Sequence, residues 1–235
     1  MAIATSSGNY VKRTSGLINY NAAYTVMAWF RPTALSGIQW FYGNGQGSDD
    51  FNGAAGNGDY MGPWDDRFVI GCGGTEWGDY TNALMSAGNW YHGCLKRTSA
   101  TSLIGLRDGV AFGTVSTDVS GRSSNGFDVL GRFNALAFGG RIAAFKAWSA
   151  ALSDSEIEDE MAVGPPIRTA DLVTYTPFLA TTEPEIFQSV TGTHWTEVGS
   201  VTSADGPPID WGGGGGGNAL LLQLMQHGHL NGGLL

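Results

Sequence analysis

The sequence predicts an all-β protein in which antiparallel strands form a two-sheet sandwich, with one short helix and a C-terminal extension. Segments of five to nine residues rich in β-branched and aromatic side chains recur along the chain, separated by clusters of Gly, Asn, Asp and Ser. The 235 residues include 37 glycines, yet 42% are apolar and 11% aromatic, which is enough to build a core. The glycines follow no G-X-Y period, which excludes collagen. The sequence also lacks a self-similar repeat of about 20 to 50 residues, which excludes solenoids.

Eight segments carry the strand pattern, and that number is typical of a sandwich. They are Tyr24–Arg31, Ile38–Tyr42, Arg67–Cys72, Trp90–Arg97, Ser102–Arg107, Phe127–Leu130, Gly140–Trp148 and Leu172–Phe178. Pro32 ends the first of them. Asp108 and Gly109 predict a tight hairpin from Ser102–Arg107 to Val110–Val115, because both central residues of a type I′ turn need a positive φ.

One helix is predicted after Leu152. Ser153 is suited to the N-cap position, and Glu156 three residues later completes a capping box. Leu152 and Ile157 have the spacing of a hydrophobic staple. Gly164, followed by two prolines, ends the helix.

Charge and cysteine content restrict the function. Twelve Lys and Arg against 21 Asp and Glu give a net charge of −9, which disfavours nucleic acid and anionic membranes as partners. Cys72 and Cys94 are expected as buried free thiols, with a single disulfide as the alternative. We expect neither a signal peptide in residues 1–10 nor a membrane span, since no run approaches about 20 apolar residues.

The composition changes sharply near the C-terminus. Six consecutive glycines occupy positions 212–217, and residues 218–235 contain no charged side chain. An exposed apolar segment of this kind favours association. We therefore expect an extension at 181–211 on or beside the sandwich, a linker at 212–217, and an arm at 218–235 that docks on other copies of the chain or on a capsid or filament protein. The arm's apolar residues are Leu220, Leu221, Leu222, Leu224, Met225 and Leu230.

A family resemblance follows from several motifs taken in order. They are TVMAWFRPTALSG (25–37), NWYHGCLKR (89–97), LIGLRDG (103–109), LGRF (130–133), GRIAAFKAWSAALSDSEIEDEM (140–161) and LVTYTPF (172–178). Over about residues 8–180, within a domain placed at 1–180, the chain resembles laminin-G-like, concanavalin A-like jelly-roll domains. The resemblance implies two curved antiparallel sheets with ligand sites at a rim or on the concave face. Ala143 and Ala144 stand where many members carry an acidic residue associated with calcium.

Members of this family bind glycans or proteins, occur on virus particles and cell surfaces, or hydrolyse glycosides, so the site must decide the function. Sugars have apolar C–H faces and polar hydroxyls, so a glycan site combines aromatic platforms with polar side chains. Residues 40–80 supply both kinds of side chain. The alternative is that the same aromatic residues only pack in the core or within the loops. The candidates are Trp40, Tyr42, Asn57, Trp64, Trp77 and Tyr80.

The same region is rich in aspartate. Calcium accepts six to eight oxygen ligands in loose geometry, which a glycine-rich acidic loop can offer. The spacing is not that of an EF-hand, and a solvated acidic loop is the alternative. We therefore predict no cofactor, with calcium as the alternative. The candidate ligands are Asp49, Asp50, Asp59, Asp65 and Asp66.

No catalytic constellation is evident in the sequence. Glu156, Glu158 and Glu160 superficially resemble a strand-borne glycosidase motif, but the capping box puts them on a helix, where alternate residues diverge. His92 is expected to hydrogen-bond within the sandwich.

The chain is accordingly predicted to be a non-enzymatic structural and adhesive module with glycan binding. It would be displayed on a homo-oligomeric assembly such as a phage or virion capsid decoration or fibre, at a virion or extracellular surface. A glycoside hydrolase or lyase, its carbohydrate-binding module, and a secreted adhesin or filament subunit are the alternatives.

Overall fold

The computed structural model describes residues 2–13, 16–19, 21–46, 58–73, 75–79, 84–121, 126–133, 136–178 and 195–211. Two antiparallel sheets pack face to face over these residues, which confirms the predicted sandwich. The capping box and the free, buried cysteines are confirmed as well.

The described residues form seventeen strands and one helix. In chain order these are β1 (Ala2–Thr5), β2 (Tyr10–Arg13), β3 (Tyr24–Pro32), β4 (Tyr42–Gln46), β5 (Gly58–Trp64), β6 (Arg67–Cys72), β7 (Thr75–Gly78), β8 (Tyr91–Ser99), β9 (Ser102–Arg107), β10 (Val110–Val115), β11 (Gly126–Leu130), β12 (Arg132–Phe133), β13 (Leu136–Ala137), β14 (Gly140–Trp148), α1 (Asp154–Met161), β15 (Leu172–Thr176), β16 (Thr196–Val198) and β17 (Thr202–Ala204).

The strands within the described ranges fall into two large sheets and one hairpin. One sheet has eight strands in the order β10-β9-β8-β3-β14-β1-β17, with β15 pairing to β14. The other has seven, in the order β16-β2-β11-β4-β5-β6-β7. β12 and β13 pair with each other, and Ala137 of β13 also bridges to Trp40. Consecutive strands β4 to β7 are therefore neighbours, so one continuous meander forms one side of the seven-stranded sheet.

The main core lies between the two large sheets. Phe30 from β3 stacks on Phe41 with ring centroids 4.4 Å apart, and on Phe68 of β6 at 5.4 Å. Burying each ring stabilises the fold by about 1.5–3 kcal/mol. On the outer face of the eight-stranded sheet, Ile157 of α1 joins a second buried cluster that includes Trp148. The eight-stranded sheet is thus packed on both of its faces.

Five of the eight predicted strands have different boundaries. Three differ by one or two residues at an end: β3 runs to Pro32, β8 spans Tyr91–Ser99, and β11 begins at Gly126. The other two are β4 and β15. Ile38–Tyr42 was predicted as a strand, but β4 begins only at Tyr42, and Ile38 and Trp40 make isolated bridges. β15 ends at Thr176 rather than Phe178, whose φ of 58° takes the chain out of the sheet. By contrast, the predicted hairpin is confirmed: Asp108 and Gly109 have φ values of 51° and 80° between β9 and β10.

Residues 195–211 take part in both sheets. β16 pairs with β2 in one sheet, and β17 pairs with β1 in the other. Trp195 is buried, meets Phe145 edge-on at 5.3 Å, and donates its Nε1–H to Thr176 Oγ1 at 3.0 Å. The linker at 212–217 and the predicted arm residues at 220–230 lie outside the described residues. In the described part of the chain, no helix is both long enough and apolar enough to cross a membrane.

Candidate functional site

A shallow pocket lies on the outer face of the seven-stranded sheet, where β5, β6 and β7 run side by side. Five residues line it: Trp64, Arg67, Val69, Glu76 and Gly78. The strand register explains why they meet. Trp64 faces Arg67 across the β5–β6 hairpin, and Val69 faces Gly78 across β6 and β7. The intervening residues of β6 point to the opposite face and join the main core.

Trp64 is the exposed aromatic surface of this pocket, with 41% of the residue accessible. It ends β5 immediately before the Asp65–Asp66 turn. Asp65 adopts φ 51°, and its carboxylate Oδ1 accepts the Gly37 N–H at 2.7 Å. The Asp65 N–H donates in turn to the Gly37 carbonyl at 3.0 Å. This reciprocal pair ties the turn to the neighbouring loop and fixes the backbone that carries Trp64.

Two charged side chains of opposite sign complete the pocket. Arg67 is exposed and carries five N–H donors, whereas the partly exposed Glu76 offers only acceptors. Tyr60 lies behind Glu76 and donates its hydroxyl to Glu76 Oε1 at 3.2 Å. Burial raises the pKa of Tyr60, and the charge of Glu76 raises it further, so the phenol remains protonated. The pocket therefore combines an aromatic face, a donor and an oriented acceptor.

A buried aromatic cluster supports the pocket from beside it on the same outer face. We call it the outer-face cluster: Tyr10, Trp40, Tyr60, Val69, Val129 and Phe133. The Tyr60 ring lies 4.6 Å from Trp40 and stacks on Phe133 at 5.2 Å. Gly71 makes this arrangement possible, because a Cβ there would overlap the Tyr60 ring. Val69 belongs both to the cluster and to the pocket, so the pocket floor is rigidly packed.

The predicted glycan-binding aromatic residues differ in burial and in the face of the sheet that they occupy. Trp40 is only 2% exposed and Tyr42 is fully buried, so neither can form a platform, which corrects both expectations. Trp40 packs in the outer-face cluster, and Tyr42 donates to Asp128 Oδ1 at 2.8 Å between the sheets. Trp77 is 48% exposed, but it leaves β7 on the face opposite Glu76 and packs over Gly113 of β10. Tyr80 and Asn57 lie outside the described residues.

The predicted calcium ligands do not converge where the structure describes them. Asp59 is buried, and both its carboxylate oxygens accept Arg97 Nη2 at 2.8 Å, which corrects its prediction as a candidate calcium ligand. Asp65 holds the β5–β6 turn, and Asp66 is partly exposed. Asp49 and Asp50 lie outside the described residues. Within the described ranges, no three carboxylate, histidine or cysteine side chains are placed to hold a metal ion.

Two of the three glutamates of α1 make hydrogen bonds and ion pairs that hold the helix in place, and the third is exposed. Glu156 Oε2 accepts the Ser153 N–H at 2.7 Å in the predicted capping box, and Glu156 also pairs with Arg168. Glu160 is buried and accepts Lys146 Nζ at 2.7 Å, so it faces away from solvent. Glu158 is exposed on the same helix. These carboxylates therefore do not form a pair across a shared cleft.

His92 is buried against Trp29, with ring centroids 5.5 Å apart. Its backbone N–H donates to Asp108 Oδ1 at 2.7 Å, while ring Nδ1 has no hydrogen-bond partner among the described residues. Desolvation, and to a smaller extent the charge of Lys146, lowers the pKa of His92 to about 3. The expected hydrogen bond within the sandwich is therefore made by the backbone.

Sequence reasoning did not select Arg67, Val69, Glu76 or Gly78. One local signal for Arg67 was available, since a two-residue Asp-Asp turn makes Trp64 and Arg67 direct cross-strand neighbours. Glu76 carries a similar signal, because Gly73 and Gly74 between β6 and β7 are a two-residue hairpin sequence, and such a turn sets Gly71 opposite Glu76.

Comparisons with known proteins agree with this fold. A family model described as "Concanavalin A-like lectin/glucanases superfamily" matches residues 5–158, more than half of the chain. A presumed carbohydrate-binding protein from Bacteroides ovatus has a similar structure, with a TM-score of 0.60 and 16% identity over 88% of this chain. The chain spans 60% of that protein's length. A heptameric SAP-like pentraxin from Limulus polyphemus is similar at a TM-score of 0.50 and 11% identity, covering 86% of this chain and 88% of the pentraxin. The comparison with curated proteins finds no matching sequence.

Proposed function

This chain belongs to the concanavalin A-like lectin/glucanase superfamily, and from that premise we propose that it is a non-enzymatic module that binds glycans at the Trp64 pocket. The observation that carries the proposal is the exposed Trp64 ring, held on a fixed turn beside the donor Arg67 and the acceptor Glu76. The similar Bacteroides protein, presumed to bind carbohydrate, supports the same class of ligand.

The chemistry of the pocket suits a sugar. The C–H face of a sugar ring is apolar and stacks on an indole, while the ring hydroxyls both donate and accept hydrogen bonds. Glu76 accepts from one hydroxyl and Arg67 donates to another. The hydrogen bonds to Asp65 and Glu76 hold two sides of the pocket before any ligand arrives, which lowers the entropic cost of binding.

The test is a glycan array followed by calorimetry on the wild type and two tryptophan variants. We expect Trp64→Ala to weaken binding at least tenfold, because it removes the stacking surface. Trp77→Ala is the matched control: Trp77 is exposed to a similar extent but lies on the opposite face of the sheet. Melting curves of both variants check that they are folded. Wild-type affinity in Trp64→Ala, or equal losses in the two variants, would refute the site.

We propose that the module does not turn over its ligand. The helix glutamates that resemble a glycosidase motif serve the capping box and the Lys146 ion pair instead. Incubating the protein with each polysaccharide that it binds, and measuring new reducing ends or unsaturated products, tests this proposal. Product formation that persists after repurification, and that is lost in a site variant, would overturn it.

We also propose that residues 218–235 attach the module to other copies of the chain, or to a capsid or filament protein, at a virion or extracellular surface. The support is compositional: an uncharged, leucine-rich arm follows six glycines. Trp211 packs against Gly164, so the last described residue has a fixed position beside the end of α1. Light scattering and electron microscopy on the full chain and on residues 1–211 test this. We expect assemblies only with the arm, and a monomeric full chain would contradict the proposal.

A further inference from the structure

We infer, resting on the glycan site proposed above, that its ligand is a neutral oligosaccharide of more than one sugar unit. We also infer that the buried Tyr60 positions the carboxylate that selects this ligand. Three features of the pocket lead to these conclusions: the balance of charges around it, the hydrogen bond that orients Glu76, and the distance between its two ends.

The charges around the pocket disfavour an acidic sugar. Arg67 is the one cation among the lining residues, and Glu76 stands across the floor from it. Asp65 and Asp66 occupy the turn between Trp64 and Arg67, and the whole chain carries a net charge of −9. A hydroxyl can donate to Glu76 and accept from Arg67, whereas a carboxylate or sulfate can only accept. An anionic sugar would therefore be attracted by Arg67 but repelled by Glu76 and the turn.

Tyr60 fixes the acceptor that makes this distinction. Its hydroxyl donates to Oε1 of Glu76 at 3.2 Å, which leaves Oε2 and the remaining lone pairs for a ligand hydroxyl. Tyr60 is 1% exposed, and its ring is held between Trp40 and Phe133 at 4.6 and 5.2 Å. Because the ring cannot move freely, the glutamate is restrained from turning away. Tyr60 contacts no ligand and acts through Glu76.

The strand register sets the length of the ligand. Trp64 lies on β5 and Glu76 on β7, so they are separated by two interstrand spacings, about 10 Å. Trp64 pairs with Arg67 and Glu76 pairs with Gly71, which are four residues apart on β6, or about 13 Å. The two backbone positions are thus about 16 Å apart, and side chains stand roughly perpendicular to a sheet. A ligand that covers the sheet from one position to the other is longer than a single sugar ring.

The experiment compares matched tetrasaccharides on the full chain by calorimetry at low and high salt. The neutral set is cellotetraose, xylotetraose, maltotetraose and mannotetraose; the acidic set is tetragalacturonate and tetramannuronate. We expect the tightest binding from a neutral tetrasaccharide, with little salt dependence, and binding at least tenfold weaker for both acidic ones. The monosaccharide of the best ligand should also bind at least tenfold more weakly. Preference for an acidic tetrasaccharide, or equal affinity for the monosaccharide, would overturn the inference.

Two variants test the assigned roles. Glu76→Gln removes the negative charge with little change of shape, so the ratio of neutral to acidic affinity should fall about fivefold, the equivalent of one hydrogen bond. Tyr60→Phe keeps the ring and removes the hydroxyl, so the same ratio should fall in the same direction while the melting curve stays cooperative. An unchanged ratio in Glu76→Gln refutes the charge argument, and in Tyr60→Phe it refutes the positioning role. If no saccharide binds the wild type, the proposed function itself fails.

Discussion

Asp128 provides the sharpest test of how the core is built, because it is a carboxyl group buried between the two sheets. Its Oδ2 accepts the Leu17 N–H at 2.6 Å, and its Oδ1 accepts the Tyr42 hydroxyl at 2.8 Å. Arg13 stands opposite it on β2. Burial raises the pKa of Asp128 to about 6, although both hydrogen bonds and the charge of Arg13 act in the opposite direction. We expect this residue to make the protein less stable as the pH rises.

The magnitude follows from linkage. An aspartate in the unfolded chain has a pKa of about 3.9, against about 6 in the fold, and each unit corresponds to about 1.36 kcal/mol. Because the folded pKa is the higher one, the contribution is fully present below about pH 4 and is lost as the pH rises through 6. Between pH 4 and pH 7 this carboxyl should lower the free energy of unfolding by about 3 kcal/mol.

The assay is urea unfolding, followed by tryptophan fluorescence, of the wild type and Asp128→Asn at intervals from pH 4 to pH 8. Asparagine is uncharged and close in shape to the protonated acid. Its Oδ1 can accept from Leu17, and its amide N–H can donate to the Tyr42 oxygen, whose hydroxyl proton then turns away from residue 128. The variant should match the wild type near pH 4 and exceed its stability by up to about 3 kcal/mol at pH 7. Asp205→Asn, at a residue whose side chain is 97% exposed, is the control and should show no such trend.

A difference between the wild type and Asp128→Asn that stays constant with pH would refute the reasoning. So would a variant that is markedly less stable at pH 7, because Asp128 would then be ionised and needed as the partner of Arg13.

Three further predictions concern the rest of the core. Asp59→Asn should lower the free energy of unfolding by about 3–5 kcal/mol in urea titrations at pH 7, because it leaves the buried Arg97 guanidinium without its counter-charge; a loss below 1 kcal/mol would contradict the buried pairing. Trp195→Ala should cost about 3–5 kcal/mol by the same measurement, since the ring is buried; near-wild-type stability would show that the segment is not integral to the core. Cys72 and Cys94 should react with a thiol reagent only after unfolding, because both are buried and burial raises the pKa of Cys94; rapid reaction of the native protein would contradict this.

Local features of the fold were predictable because their cause lies within a few residues. The Asp108–Gly109 turn follows from the φ values that a tight hairpin needs, and the capping box follows from Ser153 and Glu156 alone. The exact span of β4 was not predictable in this way. Its sequence, YGNGQ, is poor in strand-forming residues, and it becomes a strand through its pairing with β5 and β11.

The candidate site was only partly predictable, because exposure depends on which face of a strand a residue occupies. Trp40, Trp64 and Trp77 have similar surroundings in the sequence, yet the first is buried and the other two leave the sheet on different faces. Asp59 lies in an acidic, glycine-rich stretch that favours solvent, but its partner Arg97 is on a strand of the other sheet. A pairing across 38 positions leaves no periodic signal in the sequence.

The glycines of the seven-stranded sheet also explain why the pocket lies at its β5–β7 side. Gly43 and Gly71 have no side chains, so the rings of Phe133 and Tyr60 lie directly on the sheet and fill its outer face there. Toward the start of β6 the pairing of Val69 with Gly78 leaves a low floor, and Trp64 stands beside it. The absence of side chains at these glycines therefore allows Phe133 and Tyr60 to be buried against the sheet and leaves Trp64 exposed beside the floor. Filling the floor, for example with Gly78→Leu, should abolish glycan binding in calorimetry while the melting curve stays cooperative. Wild-type affinity in a folded Gly78→Leu variant would contradict the assignment of the floor.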